Sequence, residues 1–195
     1  MANSHLFPNW NERRLILASQ SPRRRELIAL LGLPFEVRPV DCEESWPKGL
    51  SGAEIPRHVS DLKARAATAG DNEVLLTSDT VVQMDGLTLE KPVDMADAKR
   101  MLKLLSGRRH EVTTAFTIRF GDSIKTYHDT VGVTFMDLPN VLIDRYVESG
   151  APLDKAGAYG AQDLIGATGI CALEGSFYTV MGLPMHLVFN ALRDI

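Results

Sequence analysis

The stretch "LILASQSPRRRELIALLGLPFEV", Leu15–Val37, decides how the fold begins. Its first three apolar residues predict a short buried strand. Ser21 and Pro22 then predict a helix start, because serine caps the first turn and proline needs no N–H donor at the first helical position. Gly32 predicts the end of that helix. Apolar residues recur at helical spacing in between: Leu27, Leu30 and Leu31.

Three arginines, Arg23–Arg25, occupy the first turn of this helix. The helix dipole disfavours each cation there by ~0.3–1 kcal/mol. Unpaired backbone N–H groups and guanidinium groups together bind anions well, and the hydroxyls of Ser19 and Ser21 can reach the same oxygens. We therefore predict a polyphosphate site at this turn. The alternative is that the arginines face solvent and pair with Glu26 or other acids.

The amino-acid composition limits the kinds of partner that this protein is expected to bind. The chain has 195 residues, 45% hydrophobic residues and a formal net charge of −4. An acidic balance argues against nucleic acid as a partner, and no apolar run approaches the ~18 residues of a membrane span. Five arginines between Arg13 and Arg25 indicate a small anionic ligand instead. The first residues lack the pattern of a signal peptide, so we expect a cytoplasmic protein without a membrane or nucleic-acid partner.

The remaining pattern predicts an α/β fold. We expect residues 1–13 to be a loose arm, and the rest to form a single domain of two intimate lobes around a central cleft. Helices and strands alternate, with hairpins among the strands, which predicts a mixed, twisted sheet flanked by helices. The helices are expected at 22–31, about 54–69, 94–107, 139–149 and 184–192. The strands are expected at 15–17, 35–40, 74–84, 110–120, 123–136, 167–175 and 176–182.

Carboxylates in two places could serve chemistry. Asp79 follows a run that should be a buried strand, so it is either a structural acceptor at the strand end or a group facing a cleft. Beside phosphates it could be a metal ligand or the base for a water molecule. Glu43 and Glu44 lie in a polar loop, where solvated carboxylates are the usual case.

Two lysines and one loop complete the candidates. Lys63 interrupts the apolar side of its helix, and Lys91 is restrained by the following proline; either could extend along the surface or reach a phosphate. The loop "DKAGAYGAQ", Asp154–Gln162, is a glycine-rich turn or a ligand contact. Its Gln162 amide could pair with the imide edge of uracil or thymine, and Lys155 offers a further donor.

Six ordered stretches resemble the Maf family of nucleoside triphosphate pyrophosphatases, over about 165 residues. They are "SQSPRR" (19–24), "SDT" (78–80), "EKP" (90–92), "LSGRRHEVTT" (105–114), "DKAGAYGAQ" (154–162) and "GSFYTVMGLP" (175–184). The resemblance implies a two-lobed α/β fold of the Maf and ITPase type, usually dimeric, with the nucleotide in a cleft. It also implies cleavage between the α- and β-phosphates with a divalent cation, Mg²⁺ or Mn²⁺.

The resemblance also implies roles for individual residues. Asp79 would be the proton acceptor and, with Glu44, a metal ligand; Glu43 remains the alternative to Glu44. His110 lies in a family motif, and we expect it to make a structural hydrogen bond at a strand start. The triphosphate or base would be contacted by Ser19, Ser21, Arg23, Arg24, Lys63, Thr80, Lys91, Lys155 and Gln162.

The resemblance further points to a subgroup. The family branch that acts on dTTP and UTP carries threonine after the aspartate, as Thr80 does here, whereas the branch that acts on 7-methyl-GTP typically carries glutamine. Arg24 and Gln162 also fit the pyrimidine branch. The alternatives are the same chemistry on 7-methyl-GTP, or a nucleotide-binding regulator of septation that does not hydrolyse its ligand.

Overall fold

The structure is a computed structural model that describes residues 6–10 and 12–195. In this part of the chain, strands and helices alternate along most of the sequence. The strands are β1 (Arg14–Leu17), β2 (Phe35–Val37), β3 (Glu73–Met84), β4 (Leu87–Leu89), β5 (Arg109–Phe120), β6 (Ser123–Phe135) and β7 (Ile170–Glu174). The helices are α1 (Pro22–Ala29), α2 (Glu54–Ala66), α3 (Met95–Leu105), α4 (Asn140–Glu148), α5 (Leu164–Gly169), α6 (Phe177–Met181) and α7 (Met185–Arg193).

The strands form one seven-stranded mixed sheet in the order β2-β1-β3-β5-β6-β7, with β4 paired to β3. β1 runs parallel to both β2 and β3, whereas β4 is antiparallel to β3 and β7 to β6. Parallel neighbours need crossover connections and antiparallel neighbours accept short turns, so a sequence that mixes helices with hairpins forms a mixed sheet. The predicted α/β class with a mixed sheet flanked by helices is confirmed.

The structure divides into two compact units. Unit 1 holds the described residues up to Asp79 together with Thr114–Asp129 and Gly182–Ile195, and unit 2 holds Thr80–Thr113 and Thr130–Met181. Each has apolar packing of its own. In unit 1, Ile16, Ala18, Ala64 and Leu75 form one buried cluster. A larger cluster in unit 2 includes Val82, Leu102, Val112, Phe135, Ile143 and Ile165. The single domain with a central cleft stays a prediction.

Helix α1 begins as its sequence predicts. Ser21 is the N-cap, its side chain accepts a hydrogen bond from the Arg24 backbone N–H, and Pro22 lies at the first helical position. Gly32 has a φ of 66°, which suits glycine just beyond a helix. One detail of the predicted apolar stripe is wrong, because Leu30 is 67% exposed. The buried residues of this helix are Leu27 and Ile28.

Two other helix ends depend on side chains. Asp94 caps α3 by accepting the backbone N–H of Asp97, as predicted. Helix α2 ends at Ala66 rather than near residue 69. At this end, the Arg119 guanidinium donates to the carbonyls of Ala64 and Ala67. A distant side chain thus takes over acceptors that a further helical turn would have used.

Two predicted strands near the C-terminal end are wrong in whole or in part. The segment 176–182 contains helix α6, and the segment 167–175 begins as the end of α5 before β7 starts. In α6, Phe177 and Tyr178 are exposed and Thr179 is the buried residue, so these aromatics have no pleated surface to cover. Strand propensity mainly reflects packing on such a surface, which explains why the pattern misled.

The expectation of a loose N-terminal arm is wrong for Phe7 and Trp10. Phe7 is 1% exposed and its ring packs edge-on against Trp10 and Phe189. The Trp10 indole N–H donates to the carbonyl of Leu192. These contacts hold Phe7 and Trp10 against α7. Residues 1–5 and 11 of the predicted arm lie outside the described residues.

Candidate functional site

The turn between β1 and α1 gathers hydroxyl and guanidinium groups in unit 1. The Ser19 hydroxyl oxygen accepts the backbone N–H of Ser21 at 3.2 Å and a guanidinium N–H of Arg24 at 3.4 Å. Ser19 is buried at 9% exposure, whereas Ser21 and Arg24 are partly exposed. The turn therefore holds one arginine against the chain that precedes the helix.

Arg24 has a second anchor that the sequence alone did not identify. Its Nε donates to the carbonyl oxygen of Gly182 at 3.1 Å, and the Ser78 hydroxyl lies 3.1 Å from the same oxygen. Gly182 has a φ of 116°, in the region that favours glycine. The sequence signal for this anchor is the stretch "GSFYTVMGLP", which contains Gly182 but does not reveal its partner.

The charges around Arg24 are mixed. Burial lowers the pKa of its guanidinium, the positive charge of Arg23 acts in the same direction, and the carboxylates of Asp79 and Glu44 oppose the change. Asp79 and Glu44 are therefore close enough to act electrostatically on Arg24. Arg25, the third arginine of the turn, is exposed.

Lys63 joins two carboxylates. Its Nζ lies 3.1 Å from Asp79 Oδ1 and 2.9 Å from Glu44 Oε2. The Lys63 side chain is 9% exposed and that of Asp79 15%, whereas Glu44 is half exposed. Helix α2 supplies the lysine and strand β3 supplies Asp79. The lysine that interrupts an apolar helix face is thus a buried ion-pair partner, and Glu44 is the loop glutamate that the structure brings to it.

The donor set of this cluster suits a hard divalent cation. Within residues 6–10 and 12–195, no group of three or more His, Cys, Asp or Glu side chains could hold a metal ion. Glu44 and Asp79 contact one ammonium and so provide two neighbouring carboxylates. Mg²⁺ commonly binds one or two carboxylates and completes its shell with waters and substrate phosphates. The number and chemistry of these two carboxylates therefore match what such a cation takes from a protein.

The other sequence candidates belong to unit 2. Thr80 is partly buried in β3, directly after Asp79, and Lys91 is exposed. Gln162 is exposed in the loop that precedes α5. Lys155 differs from these, because it is 7% exposed and its ammonium contacts oxygens of its own unit.

A buried pair joins strand β5 to the stretch Asp154–Gln162. His110 Nε2 and the Tyr159 hydroxyl are 2.7 Å apart, and both residues are almost fully buried. Burial lowers the pKa of His110 to about 4 and raises that of Tyr159. The expected structural hydrogen bond of His110 at a strand start is confirmed, since β5 begins at Arg109.

Comparison with known proteins identifies the family. A family model described as "Maf-like protein" matches residues 14–195. The chain belongs to the Maf family. Curated relatives include a dTTP/UTP pyrophosphatase of Porphyromonas gingivalis, 42% identical over 97% of this chain and 98% of the relative. A protein of the same name from Bacteroides thetaiotaomicron is 40% identical over 97% of this chain and the whole relative.

A solved structure resembles this Maf protein in fold. It is a HAM1 protein from Coxiella burnetii, with a TM-score of 0.57 over 94% of this chain and 100% of the other. At 16% sequence identity, this likeness concerns the fold alone. Among the residues that the structure describes, no helix is long and apolar enough to cross a membrane.

Proposed function

We propose that this chain is a nucleoside triphosphate pyrophosphatase that hydrolyses dTTP and UTP to the monophosphate and pyrophosphate. The observation that carries the proposal is the contact of Lys63 with both Asp79 and Glu44, beside the arginine that the α1 turn holds. A carboxylate for a water molecule and cations for phosphates thus occur in one cluster. The curated relatives named dTTP/UTP pyrophosphatase support the choice of substrate.

The triphosphate is bound by cations and hydroxyls. Arg24, anchored through Gly182 and Ser19, presents a planar guanidinium that matches phosphate oxygens better than a single ammonium does. We propose the same role for Ser19, Ser21, Arg23, Lys63 and Lys91. The first-turn arginines weaken α1 slightly in the free protein, and a bound polyanion removes that repulsion.

Hydrolysis proceeds by attack of water on the α-phosphorus. The water oxygen forms the new P–O bond, the bond from the α-phosphorus to the α,β-bridging oxygen breaks, and that oxygen leaves with pyrophosphate. Asp79 accepts the proton of the attacking water. Lys63 holds the Asp79 carboxylate in place over 3.1 Å, which fixes the direction from which the proton is taken.

Glu44 and Asp79 would hold a Mg²⁺ or Mn²⁺ ion. Such an ion supplies positive charge that stabilises the phosphate oxygens as negative charge develops on the leaving pyrophosphate. The protein's own share of that stabilisation comes from Lys63, Arg23 and Arg24.

Three residues are proposed to select the base. Gln162 presents an exposed amide with one acceptor and two donors, and the imide edge of thymine or uracil has the complementary groups. Thr80 and Arg24 are the other two, as in the pyrimidine branch of the family.

We also propose that the protein is a cytoplasmic homodimer. Size-exclusion chromatography with light scattering tests the dimer, and localisation of a fluorescent fusion tests the compartment.

The deciding experiment is pyrophosphate release from a panel of dTTP, UTP, CTP and 7-methyl-GTP with Mg²⁺ or Mn²⁺. Asp79→Asn removes the proposed proton acceptor, and Asp122→Asn, in the exposed turn between β5 and β6, is the matched control. We expect turnover of dTTP and UTP, a loss of at least ~100-fold in Asp79→Asn, and an unchanged control.

Other outcomes favour other functions. Activity on 7-methyl-GTP alone would keep the chemistry and contradict the pyrimidine assignment. A folded protein that binds nucleotide but releases no pyrophosphate would favour the regulator of septation.

A further inference from the structure

Gln162 lies between two residues that the structure holds firmly. Ala161, on one side, is 3% exposed, and Asp163, on the other, is tied by its carboxylate to two side chains. Gln162 itself is exposed. The backbone on either side of the glutamine is thus restrained while its amide remains accessible to a ligand.

The side chain of Asp163 does not make the hydrogen bond that is usual at its position. It is the N-cap of α5, where an aspartate normally accepts an N–H of the first helical turn, yet its side chain makes no capping bond. Instead, its Oδ2 accepts the Tyr146 hydroxyl at 2.6 Å and lies 3.4 Å from Lys155 Nζ. The carboxylate therefore links the start of α5 to helix α4 and to the preceding turn.

Lys155 is committed to the same network. Its ammonium has three donors, and its contacts are the carbonyl of Ala151, the carboxylate of Asp154 at 2.6 Å and that of Asp163. At 7% exposure it is buried within unit 2. These three oxygens lie within reach of its three donors, and a contact of Lys155 with the substrate stays a prediction.

Tyr146 completes the network from α4. It is 3% exposed, and burial, together with the bond to Asp163, raises the pKa of its phenol, so the hydroxyl remains a donor. Gly160 makes room for the arrangement, since a Cβ there would come within 2.7 Å of Asp163 Oδ2. Removing the single hydroxyl of Tyr146 would thus loosen Asp163 without removing a charge.

We propose that Tyr146, Lys155 and Asp163 form a positioning cluster that fixes the backbone at Gln162, and with it the position from which its amide meets the base, and thereby sets the selectivity for the base. This inference rests on the proposed function. Thymine presents an acceptor at O4 where cytosine presents an amino donor. A glutamine on a mobile backbone can shift until its amide pairs with either edge, whereas one on a fixed backbone meets the base from one position and favours the edge that pairs best from there. The cluster therefore matters for choosing between bases more than for cleavage.

The test compares kcat/KM for dTTP and dCTP in wild type, Tyr146→Phe and Asp163→Asn. Tyr127→Phe, in the part of β6 that belongs to unit 1, is the matched control for losing a phenol hydroxyl. We expect the dTTP to dCTP ratio to fall about tenfold in the first two variants, with kcat for dTTP changing less than threefold. The control keeps the wild-type ratio. A purely structural role lowers the active fraction and so lowers both substrates equally, leaving the ratio unchanged.

A double-mutant cycle gives the second readout. In a Gln162→Ala background, Tyr146→Phe should change the ratio no further, because the group it positions is gone. Folded Tyr146→Phe and Asp163→Asn proteins with the wild-type ratio would overturn the positioning role while wild-type turnover upholds the proposed function. A wild type that releases no pyrophosphate from either substrate overturns both.

Discussion

Lys63 donates to Asp79 over 3.1 Å while the same ammonium contacts Glu44 at 2.9 Å. A buried lysine between two carboxylates neutralises part of their charge and fixes their spacing. Removing one partner of such a cluster leaves the others poorly compensated, which is costly where water is excluded. Stability and activity should therefore both respond to changes at Lys63.

Replacing Lys63 by methionine should lower kcat/KM for dTTP at least ~100-fold, because Asp79 loses its positioning contact and the phosphates lose a cation. The free energy of unfolding should fall by about 1–2 kcal/mol, a modest amount since Glu44 is half exposed. Lys63→Arg, which keeps the charge, should retain more activity than Lys63→Met. Near wild-type turnover in Lys63→Met would contradict this role.

Arg24→Lys should raise KM for dTTP about tenfold and change kcat less. A lysine has one nitrogen and cannot reach both the Gly182 carbonyl and the Ser19 hydroxyl while also facing a phosphate. Arg25→Lys is the matched control, since Arg25 lies in the same turn but is exposed. Steady-state kinetics on both variants check this prediction. A KM for Arg24→Lys equal to that of Arg25→Lys would contradict a role of Arg24 in substrate binding.

Stability should depend on the protonation of His110. Its pKa is about 4 in the folded protein, mainly through burial, against an ordinary value of 6.5. The unfolded chain binds the proton first as the pH falls, so the His110 contribution is complete above about pH 6.5 and declines towards pH 4. The loss amounts to about 3 kcal/mol. The groups beside His110 that affect its protonation are the Tyr159 hydroxyl and the positive charge of Arg109.

Urea unfolding between pH 4 and 8 measures this effect. The difference in unfolding free energy between wild type and His110→Gln should shrink by about 3 kcal/mol from pH 7 to pH 4, because glutamine does not titrate. Parallel curves for the two proteins would show that His110 is not the group responsible.

Phe7→Ala should lower the free energy of unfolding by about 3–5 kcal/mol, the usual cost of truncating a buried aromatic residue. Phe7 is 1% exposed and packs against Trp10 and Phe189. Leu6→Ala is the control, because Leu6 is 46% exposed and should cost less than about 1 kcal/mol. Equal midpoints in chemical denaturation would mean that the arm contributes little.

Local signals were the reliable part of the sequence. Ser21 and Asp94 cap their helices and Gly32 follows α1, because each of these roles depends on a residue and its near neighbours along the chain. The order of helices and strands likewise predicted a mixed α/β sheet. The strand prediction for 176–182 was wrong, because its aromatic residues would suit a strand only beside a surface that they could cover.

Short-range patterns could nominate Asp79, Lys63 and Arg24 as charged residues in unexpected places, since the cost of each placement is local and visible in the sequence. Their partners were decided only by tertiary structure. Glu44 contacts Lys63, and the Gly182 carbonyl accepts a hydrogen bond from Arg24. Both contacts join residues that are not neighbours in the chain. The burial of Lys155 was likewise decided by the tertiary structure, because the partners of its ammonium depend on which oxygens the folded chain brings near it.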